Sequence, residues 1–119
     1  MIDLFGIPNC DTVKRARTWL DSQHIAYRFH DFKKQGVPDD ALARWIEALG
    51  WEALVNRRGT TWRQLDAAER EGVTDADSAR AALLAHPSLI KRPVVNWGAG
   101  QGVTVGFDAD AWQARQDGG

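Results

Sequence analysis

The first 32 residues place an amphipathic helix between two short apolar stretches, and this pattern limits the folds open to the chain. Residues 2–5 form a short apolar run, and residues 25–32 (IAYRFHDF) are rich in aromatic and β-branched side chains. From Cys10 to about Gln23, apolar residues recur at helical spacing. A strand, a helix and a second strand within about thirty residues predict a βαβ unit with parallel strands.

The middle of the chain predicts several helices. Residues 33–38 predict a turn, and Asp39 or Asp40 is expected to cap a helix that ends at Gly50. One more helical turn is expected at 51–55, a short helix at 62–66, and a helix from Asp75 or Asp77 to about residue 85.

The C-terminal part predicts a hairpin and a last helix. Residues 92–97 form a strand entered through Pro93, residues 98–102 a glycine-rich hairpin loop, and residues 103–105 the returning strand. Asp108 is expected to cap a helix that runs through Arg115.

This order of elements predicts an α/β protein with a four-stranded mixed sheet. It is the thioredoxin-like order with helices inserted between the two halves, so we expect a single domain over residues 1–119. Its core would comprise about residues 1–35 and 88–115, and its helical insertion about residues 36–87. In thioredoxin-like folds a cis proline beside the active thiol precedes the last hairpin, so we expect the Arg92–Pro93 bond to be cis.

Composition excludes several classes of protein. The net charge of −1 favours neither nucleic acid nor a membrane surface as partner. Its single cysteine excludes an internal disulfide and a cysteine-rich zinc site, and the three histidines lack metal-site spacing, so we expect no metal. There is no signal-peptide pattern and no apolar run of about 18 residues, so we expect a cytoplasmic protein with a reduced thiol.

Cys10 stands between a glycine- and proline-containing loop and the start of a helix. A helix N-terminus favours a thiolate, which indicates a nucleophile or redox thiol, although a lone cysteine can also be a small buried side chain. Val13 stands where a C-x-x-C motif needs its second cysteine, and Ala16 where a phosphatase-type loop needs arginine. Any resolving thiol must therefore come from outside, as glutathione or a partner protein.

Two basic features accompany the thiol. Arg57 and Arg58 precede Gly59 and two threonines, a combination suited to an oxyanion or a carboxylate, although an arginine pair in a loop is also common as solvated charge. Arg92 adjoins Pro93. Arginines that converge on Cys10 would lower the pKa of its thiol and bind an anionic substrate.

The segments GIPNCDTVKRARTWL, NRRGTTWRQL and LIKRPV resemble the arsenate reductase (ArsC)-like family, and most of all its YffB branch, which is related to the Spx regulators. The resemblance covers residues 2 to about 112 and implies a thioredoxin-like fold with a helical insertion. It implies that Cys10 is the nucleophile and that Arg92 and Arg57 (or Arg58) stabilise an anion. The implied substrate-binding residues are Asn9, Thr12, Lys14, Arg58 and Pro93.

Arsenate reductases of this family carry a histidine where this chain has Gly6, an arginine where it has Lys14, and a further arginine near Gly106-Phe107-Asp108. These departures favour a glutathione-dependent thiol reductase that binds no cofactor and uses glutathione as co-substrate. Its expected partners are glutathione or a glutathionylated protein. The alternatives are an arsenate reductase coupled to glutathione and glutaredoxin, and a Spx-like module that binds RNA polymerase without catalysis.

Overall fold

The computed structural model describes residues 1–98 and 100–118. These residues form two compact units. The first comprises Met1–Asp31 and Arg92–Gly119, and the second comprises Phe32–Lys91. The first unit is therefore built from both ends of the sequence, and the second from the segment between them.

Within the described residues, the first unit contains a four-stranded mixed sheet with the spatial order β2-β1-β3-β4. The first two strands run parallel and are joined by a helix, and the third is antiparallel to the first and the fourth. The predicted βαβ unit, mixed sheet and α/β class are therefore confirmed. The elements are β1 (Ile2–Gly6), α1 (Asp11–Ser22), β2 (Tyr27–Asp31), β3 (Val94–Asn96) and β4 (Val103–Val105).

Helix α1 packs on the sheet through one apolar stripe. Val13, Ala16 and Leu20 are fully buried in a cluster with Leu4 of β1. Full burial of a valine- or leucine-sized side chain stabilises a fold by about 1.5–3 kcal/mol. Because Cys10 directly precedes α1, this packing also fixes the position of the thiol.

The third strand begins beside a cis Arg92–Pro93 peptide bond, as predicted. Pro93 is fully buried, and its carbonyl accepts a hydrogen bond of 2.9 Å from the Gly106 N–H beyond β4. The second hairpin strand thus holds Pro93 in place. The predicted hairpin loop, residues 98–102, includes Ala99, which lies outside the described residues.

A C-terminal helix, Ala109–Gly118, completes the first unit. The Ala111 N–H donates to the Asp108 carboxylate at 3.1 Å, which confirms the predicted cap. Trp112 of this helix packs edge to face against Trp97, with ring centroids 4.9 Å apart. The helix continues past Arg115, where the sequence pattern placed its end.

The second unit is built from short helices. The predicted helices at 39–49 and 51–55 and the helix that follows Asp75 are confirmed, and the short helix predicted at 62–66 lies two residues earlier. A 3₁₀ turn, Pro87–Leu89, ends the unit. The helices are α2 (Phe32–Gln35), α3 (Asp39–Leu49), α4 (Trp51–Leu54), α5 (Thr60–Gln64), α6 (Ala67–Glu71) and α7 (Ala76–Ala85).

Two elements of this unit were not predicted. The turn expected from residue 33 is α2, which begins at Phe32 because that ring is buried against Trp45, with centroids 6.3 Å apart. Helix α6 lacks an apolar period. Its local signal is the Asp66 cap, whose carboxylate accepts from the Glu69 N–H at 2.7 Å.

Besides the Asp108 cap, one more helix cap was predicted correctly and one was predicted wrongly. Asp75 forms a capping box with Ser78 at the start of α7. At α3 the N-cap is Pro38, so the prediction of Asp39 or Asp40 is wrong. Asp39 lies in the first turn and accepts a hydrogen bond of 2.7 Å from Arg80 of α7.

No helix in the described part of the chain has both the length and the apolar character that crossing a lipid bilayer requires.

Candidate active site around Cys10

The loop after β1 delivers Cys10 to the N-cap position of α1 with extended backbone angles, φ −89° and ψ 126°. The Cys10 N–H donates to the Ile7 carbonyl at 3.2 Å, and the Lys14 N–H donates to the Cys10 carbonyl at 2.9 Å. Hydrogen bonds on both sides therefore fix its backbone. The Cys10 side chain is half-buried, and its thiol forms no disulfide.

Gly6 is the residue that lets the loop pass over α1. A Cβ atom at this position would lie 2.8 Å from Cγ2 of Val13, which is fully buried. Any larger residue, including the histidine of arsenate reductases, would have to displace Val13. The glycine at this position is therefore matched to the bulk of Val13 in the first turn of α1.

Burial and three neighbouring groups act on the charge of the Cys10 sulfur. Partial burial raises the pKa of the thiol, but the Val13 N–H, the Arg92 side chain and the Thr12 N–H together lower it below the ordinary value. The Cys10 side chain accepts no capping hydrogen bond of regular geometry, which fits the weak acceptor character of sulfur. The arrangement favours a thiolate at the helix start.

The structure brings Arg92 and Thr12 to the Cys10 sulfur in the first unit, and Pro93 directly follows Arg92 in the sequence. Arg92 is half-buried, hydrogen-bonds the sulfur and adds the attraction of its positive charge. Asn9 and Lys14 flank the thiol in sequence and are exposed, which leaves them accessible to a ligand.

Arg57 and Arg58 lie in the second unit, in the loop between α4 and α5, and both are exposed. The Arg57 guanidinium carbon lies 5.6 Å from the ring centroid of Trp51 and 5.7 Å from that of Trp62. That either arginine acts on Cys10 stays a prediction. In the sequence, a tryptophan on each side of the arginine pair is the signal that indicates these contacts.

A charged cluster on β1 and β2 escaped the sequence analysis. Arg28 donates to the Asp3 carboxylate at 2.8 and 3.1 Å, and His30 Nε2 lies 2.8 Å from it. The His30 ring also stacks on Phe5, with centroids 4.5 Å apart. Partial burial raises the pKa of Asp3, but His30 and Arg28 together lower it by more than burial raises it. The pKa of Asp3 therefore lies below its usual value.

Within residues 1–98 and 100–118, no group of three or more histidine, cysteine or acidic side chains is arranged to hold a metal ion.

Comparison with known proteins identifies the family. The model of the ArsC family matches residues 5–115. An uncharacterized protein of Haemophilus influenzae is 39% identical over 96% of this chain and 97% of its own length. The regulator Spx of Streptococcus mutans is 24% identical over 96% of this chain and 82% of its own length.

Solved structures agree with this result. The structure of a YffB protein is 45% identical, with a TM-score of 0.89 over 97% of this chain and 98% of that one. An arsenate reductase (ArsC) related protein from Brucella melitensis is 44% identical, with a TM-score of 0.74 over 95% and 92%. The thioredoxin-like fold with a helical insertion is thereby confirmed, and the chain belongs to the ArsC family.

Proposed function

We propose that the protein is a glutathione-dependent thiol–disulfide oxidoreductase whose nucleophile is Cys10. The observation that carries the proposal is the set of donors at its sulfur, two backbone N–H groups and the Arg92 guanidinium, which lower the pKa of the thiol. The thiolate is the form of cysteine that attacks disulfides. The half-buried sulfur is also accessible to a substrate.

The reaction has two exchange steps. The Cys10 thiolate attacks the glutathione sulfur of a glutathionylated substrate, the substrate leaves as a thiolate that takes up a proton, and Cys10 forms a mixed disulfide with glutathione. A second glutathione, as thiolate, attacks the glutathione sulfur of that disulfide. Oxidised glutathione forms and Cys10 leaves as thiolate, so the net reaction converts the glutathionylated substrate and one glutathione thiol into the substrate thiol and oxidised glutathione.

The resolving thiol in this scheme comes from outside because the chain has one cysteine. Glutathione supplies it directly, or glutaredoxin supplies it as a protein partner. Arg92 suits this ligand, since its guanidinium lies at the sulfur and glutathione carries carboxylates. We place the reaction in the cytoplasm, where such a thiol remains reduced.

Incubation with oxidised glutathione followed by mass spectrometry of the intact protein tests the proposal. We expect one glutathionyl group on the wild-type chain and none on Cys10→Ser. The proposal would be overturned by a Cys10 that stays unmodified and titrates as a free thiol, at about pH 8.5.

Arsenate reduction is the second candidate, and it is favoured by the arginine beside the thiol and by relatives named for arsenate reductase. Gly6, Lys14 and the absence of an arginine at 106–108 weigh against it. A glutaredoxin-coupled assay with arsenate decides this point. Turnover no faster than that of Cys10→Ser would exclude the arsenate reaction and leave thiol exchange untouched.

A noncatalytic, Spx-like role is the remaining alternative, raised by the Spx relatives. It predicts that Cys10→Ala binds RNA polymerase as well as the wild-type chain does. Thiol exchange predicts instead that this variant loses all glutathionylation.

A further inference from the structure

Strand β2 forms one edge of the sheet in the first unit. In the described part of the chain it pairs with β1 alone, in parallel register from Tyr27 to Asp31. The backbone N–H and C=O groups on the outer side of residues 27–30 are therefore open to another strand. An exposed sheet edge of this kind binds extended polypeptide segments through main-chain hydrogen bonds.

An open groove of about 420 Å³ lies between this edge and α1. Tyr27 and Phe29 alternate along β2 with Arg28, which lies on the other face of the sheet with Asp3. Both aromatic side chains pack against the buried cluster beneath α1, so the groove has an apolar floor. The residues that line the groove are Arg17, Asp21, Ile25, Ala26, Tyr27 and Phe29.

Arg17 is held in place on the α1 side of the groove. Its guanidinium carbon lies 4.1 Å from the ring centroid of Phe29, and its Nε donates to the Tyr27 hydroxyl at 3.1 Å. The half-buried side chain forms no ion pair with any residue that the structure describes. Its two terminal nitrogens are thus open to a carboxylate, and the side chain loses little further rotamer entropy when it binds one.

Asp21 lies one helical turn beyond Arg17 and gives the groove a second, opposite charge. Its side chain is exposed and has no hydrogen bond or ion pair within the described residues. Four residues along a helix span about 6 Å. Alternate residues of an extended strand, which share one face, lie about 6.6–6.8 Å apart. The spacing of the two charges therefore matches positions i and i+2 of a strand added to β2.

The direction of the added strand determines the order of its charges. Because β1 and β2 are parallel, the helix that joins them runs back along the sheet, antiparallel to both. A strand that adds to β2 in the antiparallel sense, which is the more stable pairing, therefore runs in the same direction as α1. Such a strand meets Arg17 before Asp21, so its acidic residue comes first and its basic residue follows two positions later.

We propose that this groove binds an extended segment of a partner protein in which an acidic residue, one intervening residue and a basic residue follow each other. The segment pairs with β2 as a fifth, antiparallel strand, with its carboxylate on Arg17 and its cation on Asp21. A second copy of this chain fits less well, because the α1 face of β2 carries Tyr27 and Phe29 and has no cation for Asp21. Binding in this groove does not require Cys10.

The probe is the heptapeptide Thr-Val-Glu-Val-Lys-Val-Thr with both ends blocked, and its matched control is the same peptide with Glu and Lys exchanged. In an NMR titration of the intact chain, the probe should shift the amide resonances of residues 27–31 and the Arg17 Nε–H. It should also slow hydrogen exchange at the outward amides of β2. Residues 103–105 should not respond, because β4 is the other edge of the sheet and is not part of the groove. The exchanged peptide should bind about two- to fivefold more weakly, as expected for exposed ion pairs.

Two sets of variants separate charge recognition from a loss of structure. Arg17→Glu combined with Asp21→Lys reverses both charges of the groove, and this variant should prefer the exchanged peptide by a similar factor. Arg15→Gln is the control for Arg17→Gln, since Arg15 is exposed and lies two residues away, on the other side of α1. Of these two single variants, only Arg17→Gln should weaken binding of the probe.

Four results would overturn the inference. Three concern the peptides: resonances of residues 27–31 that do not respond to the probe, equal affinity for the two peptides, or an unchanged peptide preference in the charge-reversed variant. The fourth concerns the chain alone, measured by light scattering. A dimer that Arg17→Glu dissociates would show that a second copy occupies the groove.

Discussion

Replacement of Gly6 by alanine tests whether the packing between the Cys10 loop and α1 excludes a side chain. The added Cβ atom would lie 2.8 Å from Cγ2 and 3.5 Å from Cγ1 of Val13. Val13 is fully buried in the cluster that includes Leu4 and Ala16, so it cannot move away freely. Gly6 does not have a positive φ, and the expected strain therefore comes from this contact.

The change in unfolding free energy expected for Gly6→Ala follows from two opposing effects. Insertion of a methyl group into a packed interior costs about 1–3 kcal/mol of unfolding free energy. Alanine also restricts the unfolded chain, which returns about 0.4–1 kcal/mol where the backbone angles suit it. In a Val13→Ala background the contact disappears and only the second effect remains. Gly6→Ala should therefore destabilise the wild type and stabilise the Val13→Ala variant.

Urea denaturation of the four proteins, followed by circular dichroism, measures this cycle. We expect a coupling free energy of about 1–3 kcal/mol between the two positions. Val13→Ala alone should cost about 2 kcal/mol because it removes two buried methyl groups. The reasoning is refuted if Gly6→Ala has the same effect in both backgrounds, or if it stabilises the chain that retains Val13.

Three further changes have defined outcomes. Arg92→Gln should raise the pKa of Cys10, seen as an upward shift in the pH dependence of alkylation by iodoacetamide, and Arg92→Lys should reverse part of it. Gly50→Ala should cost about 1–3 kcal/mol in urea denaturation, because alanine disfavours the φ of 85° and ψ of 145° found there. Asp3 has a lowered pKa in the folded state, so its contribution to stability is complete above the unfolded value of about 3.9 and is lost as pH falls through the folded value. On acidification below about pH 4, the unfolding free energy of Asp3→Asn should therefore fall less than that of the wild type. Equal falls in the two proteins would contradict this role of Asp3.

The sequence was sufficient for those parts of the fold that depend on local pattern. The period of α1 and the apolar runs on either side of it predicted the parallel pair, and the order of the elements predicted the cis bond before Pro93. Cys10 was placed at the start of α1 by the same reasoning, because glycine and proline in the preceding loop end the strand.

The remaining features depend on contacts between distant residues. Helix α2 forms because Phe32 is buried against Trp45, which no local propensity indicates. The pairing of Asp3 with Arg28 follows from the register of β1 against β2, and a shift of one residue would have separated them. The aromatic contacts of Arg57 require α4 and α5 to lie beside each other, so the sequence could name the arginine pair but not distinguish its two members.

The donors around Cys10 also affect how the sulfur departs at the end of a reaction. A thiolate that is stabilised by the Val13 N–H, the Arg92 guanidinium and the Thr12 N–H is a better leaving group, because a leaving thiol with a lower pKa departs faster. A mixed disulfide at Cys10 would accordingly be short-lived whenever free thiol is present. The sulfur that begins an exchange would thus also limit how long the mixed disulfide persists. Accumulation of this mixed disulfide in a cell would indicate a local shortage of reduced glutathione.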